Sequence, residues 1–298
     1  MGPTASGKTA LALAAARALG DVELVSVDSM GVYRGMDVGT AKPTVAERAD
    51  VPCHLLDLAD PSEDFSLARF TAVAAEAVAG IEARGRRALL VGGTALYLQA
   101  VVDGLALPGR WPHVRAALEA EAVTPAGVAA LHRQLASADP AAAARMEPSN
   151  ARRIVRALEV TIGSGRPFSS FGPGLGDYPP SRFSMVGVWL PRPVVAERIA
   201  GRYVDQLADG FVPEVTALAA RPDGLSRTAA QALGYRELLD HVGGRYTLDE
   251  AVAAAVARTR RFARRQRAWF RRDPRITWLA AARNPAAVLP ALLGHWMP

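Results

Sequence analysis

The chain has 298 residues, half of them hydrophobic, with 35 basic and 29 acidic side chains and a formal charge of +6. That length suits one large α/β domain with an insertion; no apolar run approaches a membrane span and no signal peptide is visible, so a cytoplasmic protein is expected. Cys53 is the only cysteine and the five histidines are scattered without ligand spacing, which argues against disulfides and against a cysteine or histidine metal cluster.

The first nine residues organise the rest. Gly2 to Thr9 (GPTASGKT) fits G-x-x-x-x-G-K-[ST], the phosphate-binding loop. Gly2, Pro3, Thr4, Ala5, Ser6, Gly7, Lys8 and Thr9 are therefore the candidate diphosphate- or nucleotide-binding residues. On its own the motif reads as ATP-binding. The glycines let backbone N–H groups turn inward around an anion, Lys8 adds a point charge, and the Thr9 hydroxyl is a ligand for Mg²⁺. Lys8 and Lys42 are the only lysines. A chain that otherwise uses arginine keeps a compact charge where a phosphate wants one. Ala10 to Leu19 reads as a helix whose positive end faces the loop. Such a loop normally follows a buried strand, yet only Met1 stands ahead of it, so a first strand and a few natural N-terminal residues are expected to be missing.

Glu23 to Val27 reads as a buried strand ending at Asp28. In an open α/β sheet ligands gather at the carboxyl ends of strands, which makes Asp28 a candidate for chemistry; a turn or cap carboxylate is the plainer alternative. Met30 to Pro43 is glycine-rich and suits a substrate loop, with Lys42 either meeting a phosphate or solvated. Ser66 to Ala83 is helical, Ala88 to Val91 is a short strand running into Gly92-Gly93-Thr94, and Thr94 to Val102 is helical again.

From Leu107 the texture changes to short alanine-rich helical segments (His113–Ala122, Pro125–Ala136, Pro140–Met146, Ser149–Ile162), followed by a Gly/Pro/Ser loop from Gly163 to Pro180. The expected organisation is a phosphate-loop core of residues 1–108 and 181–298, a parallel sheet flanked by helices, with an all-helical insertion of residues 109–180. Met185 to Leu190 returns to the sheet. Helices follow at Val194–Leu207, with Arg198 and Arg202 four apart on one face, and at Val212–Ala220. Thr247 and Glu250 have capping-box spacing and open a long helix to about Arg272. Arg260, Arg264, Arg267 and Arg271 form one stripe on it, flanked by Arg261, Arg265 and Arg272. Phe262, Ala263, Trp269 and Phe270 take the opposite arc with Gln266 among them. Residues 258–275 hold nine arginines and one acid, and the rest of the chain is slightly acidic. So concentrated a basic face calls for a polyanion, nucleic acid before membrane.

These features leave open a small-molecule kinase, an RNA-dependent ATPase or a group transferase acting on RNA. No further apolar strand ending in Asp supports a motor. Taken together, Gly2–Thr9, Asp28-Ser29-Met30…Tyr33-Arg34-Gly35-Met36-Asp37…Gly39-Thr40-Ala41-Lys42-Pro43, His54-Leu55-Leu56-Asp57, Val91-Gly92-Gly93-Thr94…Leu96-Tyr97 and Arg156-Ala157-Leu158-Glu159-Val160 closely resemble the tRNA dimethylallyltransferase family, bacterial type, over nearly the whole chain in order. The resemblance implies transfer of a dimethylallyl group from dimethylallyl diphosphate to N6 of the adenosine 3′ of the anticodon, with the loop and Mg²⁺ holding the diphosphate. It implies Asp28 as general base, Arg202 on the diphosphate and Thr4 facing the reacting centre. It places tRNA contacts at Asp28, Ser29, Met30, Gly31, Thr94, Arg115, Arg152, Arg153, Ile154, Val155, Arg156, Gln231, Ala232, Leu233, Gly234, Tyr235, Arg236, Arg264, Arg265, Gln266, Arg267, Trp269 and Arg271, with the adenosine flipped into a channel between the domains. It implies a monomer. Gly31 departs from the glutamine of many relatives, and Gln231 from a basic residue. The rivals are an adenylate prenyltransferase or nucleotide kinase, which need no long RNA footprint, and an inactive RNA-binding homologue.

Overall fold

The computed structural model describes residues 1–172 and 174–296, so Pro173, within the expected Gly163–Pro180 loop, lies outside them. In chain order the elements are α1 (Lys8–Leu19), β1 (Val22–Val27), α2 (Val45–Asp50), β2 (Cys53–His54), α3 (Leu67–Ala83), β3 (Arg87–Gly92), α4 (Ala95–Val102), α5 (Pro112–Glu121), α6 (Pro125–Ala138), α7 (Pro140–Ala143), α8 (Ala151–Ser164), β4 (Met185–Trp189), α9 (Arg192–Ala208), α10 (Phe211–Ala219), α11 (Arg227–Ala230), α12 (Tyr235–Val242), α13 (Leu248–Phe270), β5 (Ile276–Ala280) and α14 (Leu289–Gly294). They fall into two compact units, Met1–Gly104 with Pro180–Pro298, and Leu105–Pro179.

The larger unit is a parallel sheet flanked by helices. β1 pairs with β2 and β3, and β4 pairs with β5, all in parallel. Parallel strands covered on both faces read as near-continuous apolar runs, which is why β1 (VELVSV) is almost wholly buried. Its core joins Val25, Val27, Tyr33, Phe70, Leu98, Val188, Ile199, Phe211 and Tyr235. The sequence misses β2 and β5, the first being two residues long.

The sheet is split. β3 and β4 do not pair, and between them lies a cavity of about 480 Å³ lined by Met1, Lys8, Leu89, Val91, Val186 and Val188 among others. Met1 makes one parallel rung against β4: its terminal amine donates to Val186 O at 2.6 Å and its carbonyl accepts from Val188 N at 2.9 Å. Burial, aided by the Lys8 charge, pushes the Met1 amine down to about 5. Ala88 to Val91, which line this cavity, are only half-buried although their sequence is that of an inner strand.

The smaller unit is helical. Leu118, Leu131, Leu135, Ile154, Val155 and Leu158 close its core, Trp111 lies against Gly163, and buried Glu159 accepts from Trp111 N at 2.9 Å.

Candidate functional site

The phosphate loop is shaped for an anion. Gly7 caps α1 in the left-handed region at φ 80°, no side chain caps that helix, and no acid sits in its first turn. The first-turn N–H groups and the positive end of the helix dipole therefore face the loop unopposed. Ala5 is also left-handed, at φ 59°. The Ser6 hydroxyl is fully buried with no protein partner. Lys8 Nζ reaches Pro3 O at 3.4 Å, and no carboxylate lies within ion-pair distance of it among the described residues. Burial pushes Lys8 down to about 8; nearby Asp28 opposes that shift and Arg202 adds to it.

α9 supplies two more cations. Arg198 and Arg202 are one turn apart, so both reach the loop: Arg198 Nε donates to Ala5 O at 2.8 Å, and Arg202 donates to Thr4 Oγ1 and Gly39 O, each at 3.2 Å. Burial lowers the Arg202 guanidinium below its usual range, against the pull of Tyr203 and Asp28. Three cations thus meet where the backbone already attracts negative charge.

Asp28 ends β1 beside them. Its Oδ1 accepts from Met30 N at 2.8 Å and Gly31 N at 3.3 Å, the turn role that the sequence offered as the plainer reading. Its Oδ2 has no partner among the described residues. The two readings are compatible: one oxygen fixes the carboxylate and the other remains an acceptor. Ser29 N donates to Thr94 Oγ1 at 3.2 Å, tying the ends of β1 and β3 together.

The loop of residues 30–43 is held by residues that the sequence did not single out. Glu214 accepts from the backbone N–H groups of Asp37, Val38 and Gly39, at 2.9, 2.8 and 3.2 Å. Gln206 donates to Val38 O and Gly39 O. Gly39 lies so close to Phe211 and Tyr235 that a Cβ there would come within 2.4 Å of both rings. Lys42 neither meets a phosphate nor is solvated: its side chain is 2% exposed, and it donates to Tyr33 O, Asp37 and Asp57, each at 2.6 Å. Burial disfavours the Asp57 carboxylate, but the bonds from Lys42 and Arg48 outweigh it and hold its pKa below the usual range.

Several expected RNA contacts need correcting. Tyr235 is buried, and its hydroxyl donates to Glu214 at 2.6 Å; burial, then the Glu214 charge, push its pKa far up. Ala232 and Gly234 are buried beside it and Leu233 is half-buried, leaving Gln231 and Arg236 exposed. In the helical unit Arg152 and Arg153 are exposed, whereas Ile154 and Val155 are core. An amphipathic helix cannot show every residue of a consecutive run, so a stretch of contacts read from sequence overcounts. Arg156 donates to Pro108 O at 2.8 Å and pairs with Glu159, and Arg115 pairs with Glu119.

α13 opens with the expected capping box: Glu250 N donates to Thr247 Oγ1 and Thr247 N to Glu250. Arg260, Arg261, Arg264, Arg265, Arg271 and Arg272 are exposed, and none forms an ion pair among the described residues. Arg267 is the exception within the stripe. It turns inward, donates to Leu190 O at 2.8 Å and lies 3.1 Å over the Trp189 ring. Trp269 is half-buried under Arg272. Gln266, expected to touch RNA, is 5% exposed and faces the phosphate loop.

Residues 31–273 match the family described as IPP transferase. The chain is 51% identical to a tRNA dimethylallyltransferase of Salinispora arenicola, covering 95% of this chain and 81% of the relative. It is 47% identical to one of Streptomyces coelicolor, over 98% and 92%. Among solved structures it resembles the tRNA isopentenylpyrophosphate transferase of Bacillus halodurans, with TM-score 0.71, 37% identity and coverage of 99% and 93%. It also resembles a eukaryotic dimethylallyltransferase acting on tRNA, with TM-score 0.77, 25% identity and coverage of 94% and 72%.

Proposed function

The chain belongs to the tRNA dimethylallyltransferase (IPP transferase) family, and from that premise we propose that it transfers a dimethylallyl group from dimethylallyl diphosphate to N6 of the adenosine 3′-adjacent to the anticodon, releasing diphosphate. The observation that carries the reading is the meeting of Lys8, Arg198 and Arg202 on a loop whose helix N-terminus has no acid of its own.

The chemistry follows from two weaknesses of the reactants. The N6 amine is a poor nucleophile because its lone pair is delocalised into the ring, so a base close to it accelerates attack. Asp28 has the free oxygen for that role. As N6 bonds to C1 of the prenyl group, the C1–O bond breaks, the electron pair leaves with the diphosphate, and the N6 proton passes to the Asp28 carboxylate. The second weakness is charge building on the leaving oxygens. Lys8, Arg202 and the loop N–H groups are fixed where that charge grows, so they stabilise it without reorganising. Thr4, held by Arg202, lies at the mouth of the loop.

The Thr9 hydroxyl, a hard oxygen donor in the first turn of α1, would hold Mg²⁺ beside the diphosphate. When bound it would neutralise leaving-group charge. The exposed arginines of α13, with Arg152 and Arg153, supply sites for tRNA phosphates. One chain carries donor loop and RNA face together, so a monomer suffices, and the substrate puts the reaction in the cytoplasm.

The test is incorporation of labelled dimethylallyl diphosphate into an anticodon stem–loop, with AMP and ATP as competing acceptors. Label in the RNA alone is the expected result. Label in AMP would favour the free-nucleotide reaction, and none in any acceptor would overturn the reading.

A further inference from the structure

Gln266 is the one uncharged residue in the run from Arg264 to Arg267, and it alone of the four is buried. Its amide is used at both ends. Oε1 accepts from the Thr4 backbone N–H at 2.8 Å, and Nε2 donates to Gly93 O at 2.7 Å. A buried side-chain amide with both ends satisfied fixes the spacing of whatever it joins. Here it joins three elements: the phosphate loop at Thr4, the end of β3 at Gly93, and the arginine helix. Contact is close on every side. A Cβ on Gly93 would lie 2.7 Å from Gln266 Nε2, 3.2 Å from Gly2 O and 3.3 Å from Lys8 Cε. One bond further along, the Thr4 hydroxyl accepts from Arg202. Thr4 is therefore held by its N–H from the arginine helix and by its hydroxyl from the diphosphate-facing arginine.

We propose that Gln266 is a positioning residue that couples occupancy of the arginine helix by RNA to the geometry of the phosphate loop. Neutralising the exposed arginines removes their mutual repulsion and settles α13. The settled helix strengthens the two bonds that Gln266 already makes to Thr4 and Gly93 and, through Thr4, the seat of the Arg202 guanidinium. Because coupling between two binding sites is reciprocal, diphosphate in the loop strengthens RNA binding by the same factor that RNA strengthens diphosphate binding.

This rests on the transferase reading, but it is tested by binding alone. The affinity for inorganic diphosphate would be measured by calorimetry with and without saturating anticodon stem–loop, on the wild type and on Gln266→Met, which keeps the volume and loses both hydrogen bonds. The wild type is expected to bind diphosphate about fivefold or more tightly with RNA present, the lower end of ordinary coupling. In Gln266→Met that factor falls to one, while RNA affinity without diphosphate stays within about twofold and kcat drops more than the KM for the prenyl donor rises. A purely structural role would lower thermal stability and leave the coupling factor of the folded protein unchanged. Gly93→Ala provides a second approach, because its methyl group displaces the same amide with Gln266 still in place and should also reduce the factor; since that methyl presses on Gly2 O and Lys8 Cε as well, the reading is the coupling factor and not the diphosphate affinity alone. An uncoupled wild type, or a Gln266→Met variant that stays fully coupled, would overturn the proposal. So would a loss of RNA affinity of tenfold or more in Gln266→Met alone, which would make Gln266 an RNA contact. Coupled binding without prenyl transfer would leave this proposal standing and sink the transferase reading.

Discussion

The chain's two lysines sit in opposite electrostatic circumstances. Lys42 is enclosed by its own protein: two carboxylates and a carbonyl meet its ammonium at 2.6 Å. Lys8 has one long bond to a carbonyl, no carboxylate in contact, and a proton affinity depressed by burial. One charge is neutralised by the fold, and the other has no carboxylate within ion-pair distance among the described residues. A cation's job can thus be read from who supplies its counter-charge. The arginines divide the same way: Arg275, paired with Asp103 and Asp273, is structural, whereas the exposed arginines of α13 have no acid partners among the described residues.

The comparison breaks if the two lysines respond alike to removal. Lys8→Met should cut kcat/KM by about 10³-fold, the cost of losing one preorganised charge at a leaving group. The same change should leave thermal stability equal or raised, since it deletes a desolvated charge with no carboxylate in contact and only one long bond to a carbonyl. Single-turnover transfer and a thermal melt report the two effects separately. Lys42→Met should do the reverse. It takes the counter-charge from Asp37 and leaves Asp57 with Arg48 alone, and should cost about 2 kcal/mol, below the figure for a wholly buried pair because both carboxylates are partly exposed. A shifted urea midpoint at constant slope is the expected reading. A stable Lys42→Met protein that fails to turn over would place Lys42 among the ligand-facing cations.

The arginine helix extends the test to larger ligands. Arg264→Ala with Arg271→Ala should weaken stem–loop binding about tenfold at moderate salt and flatten the salt dependence by about 1.5 in slope. The KM for dimethylallyl diphosphate should stay where it is. Arg267→Ala should behave differently, costing stability as well, because that side chain is spent on Leu190 O and the Trp189 ring.

What was legible in the sequence was local. The loop motif at Gly2–Thr9, the capping box of Thr247 and Glu250, and the two faces of α13 depend on spacings of a few residues; the capping box forms, and α13 has its two faces except that Arg267 of the stripe turns inward. Asp28 at a strand end was visible for the same reason. The partners of the 30–43 loop were not, because Glu214 and Gln206 meet Asp37–Gly39 across more than 160 positions and belong to helices with several other polar residues. Lys42 was misjudged because Asp57 reaches it only through a left-handed turn at φ 58°. Gln266 did carry a signal: it was the polar residue on the apolar arc of its helix, and a buried amide must find partners for both ends.

The smallest expected effect is the most specific to the comparison, because it uses Lys8 in two opposed ways. Its pKa is lowered from 10.5 to about 8 on folding. Between those values the unfolded chain holds a proton that the folded chain has released, so raising the pH through that window removes a buried charge and stabilises the fold. Diphosphate binding needs the charge that is being removed. Its affinity should therefore decline as the pH rises past 8, by at most about tenfold per unit, while the denaturation midpoint of the free protein rises. Lys8→Met should abolish both slopes at once. Opposite slopes from a single residue distinguish a cation kept for a ligand from one kept for the fold. A midpoint that falls across the same window would mean that Lys8 has an internal counter-charge after all.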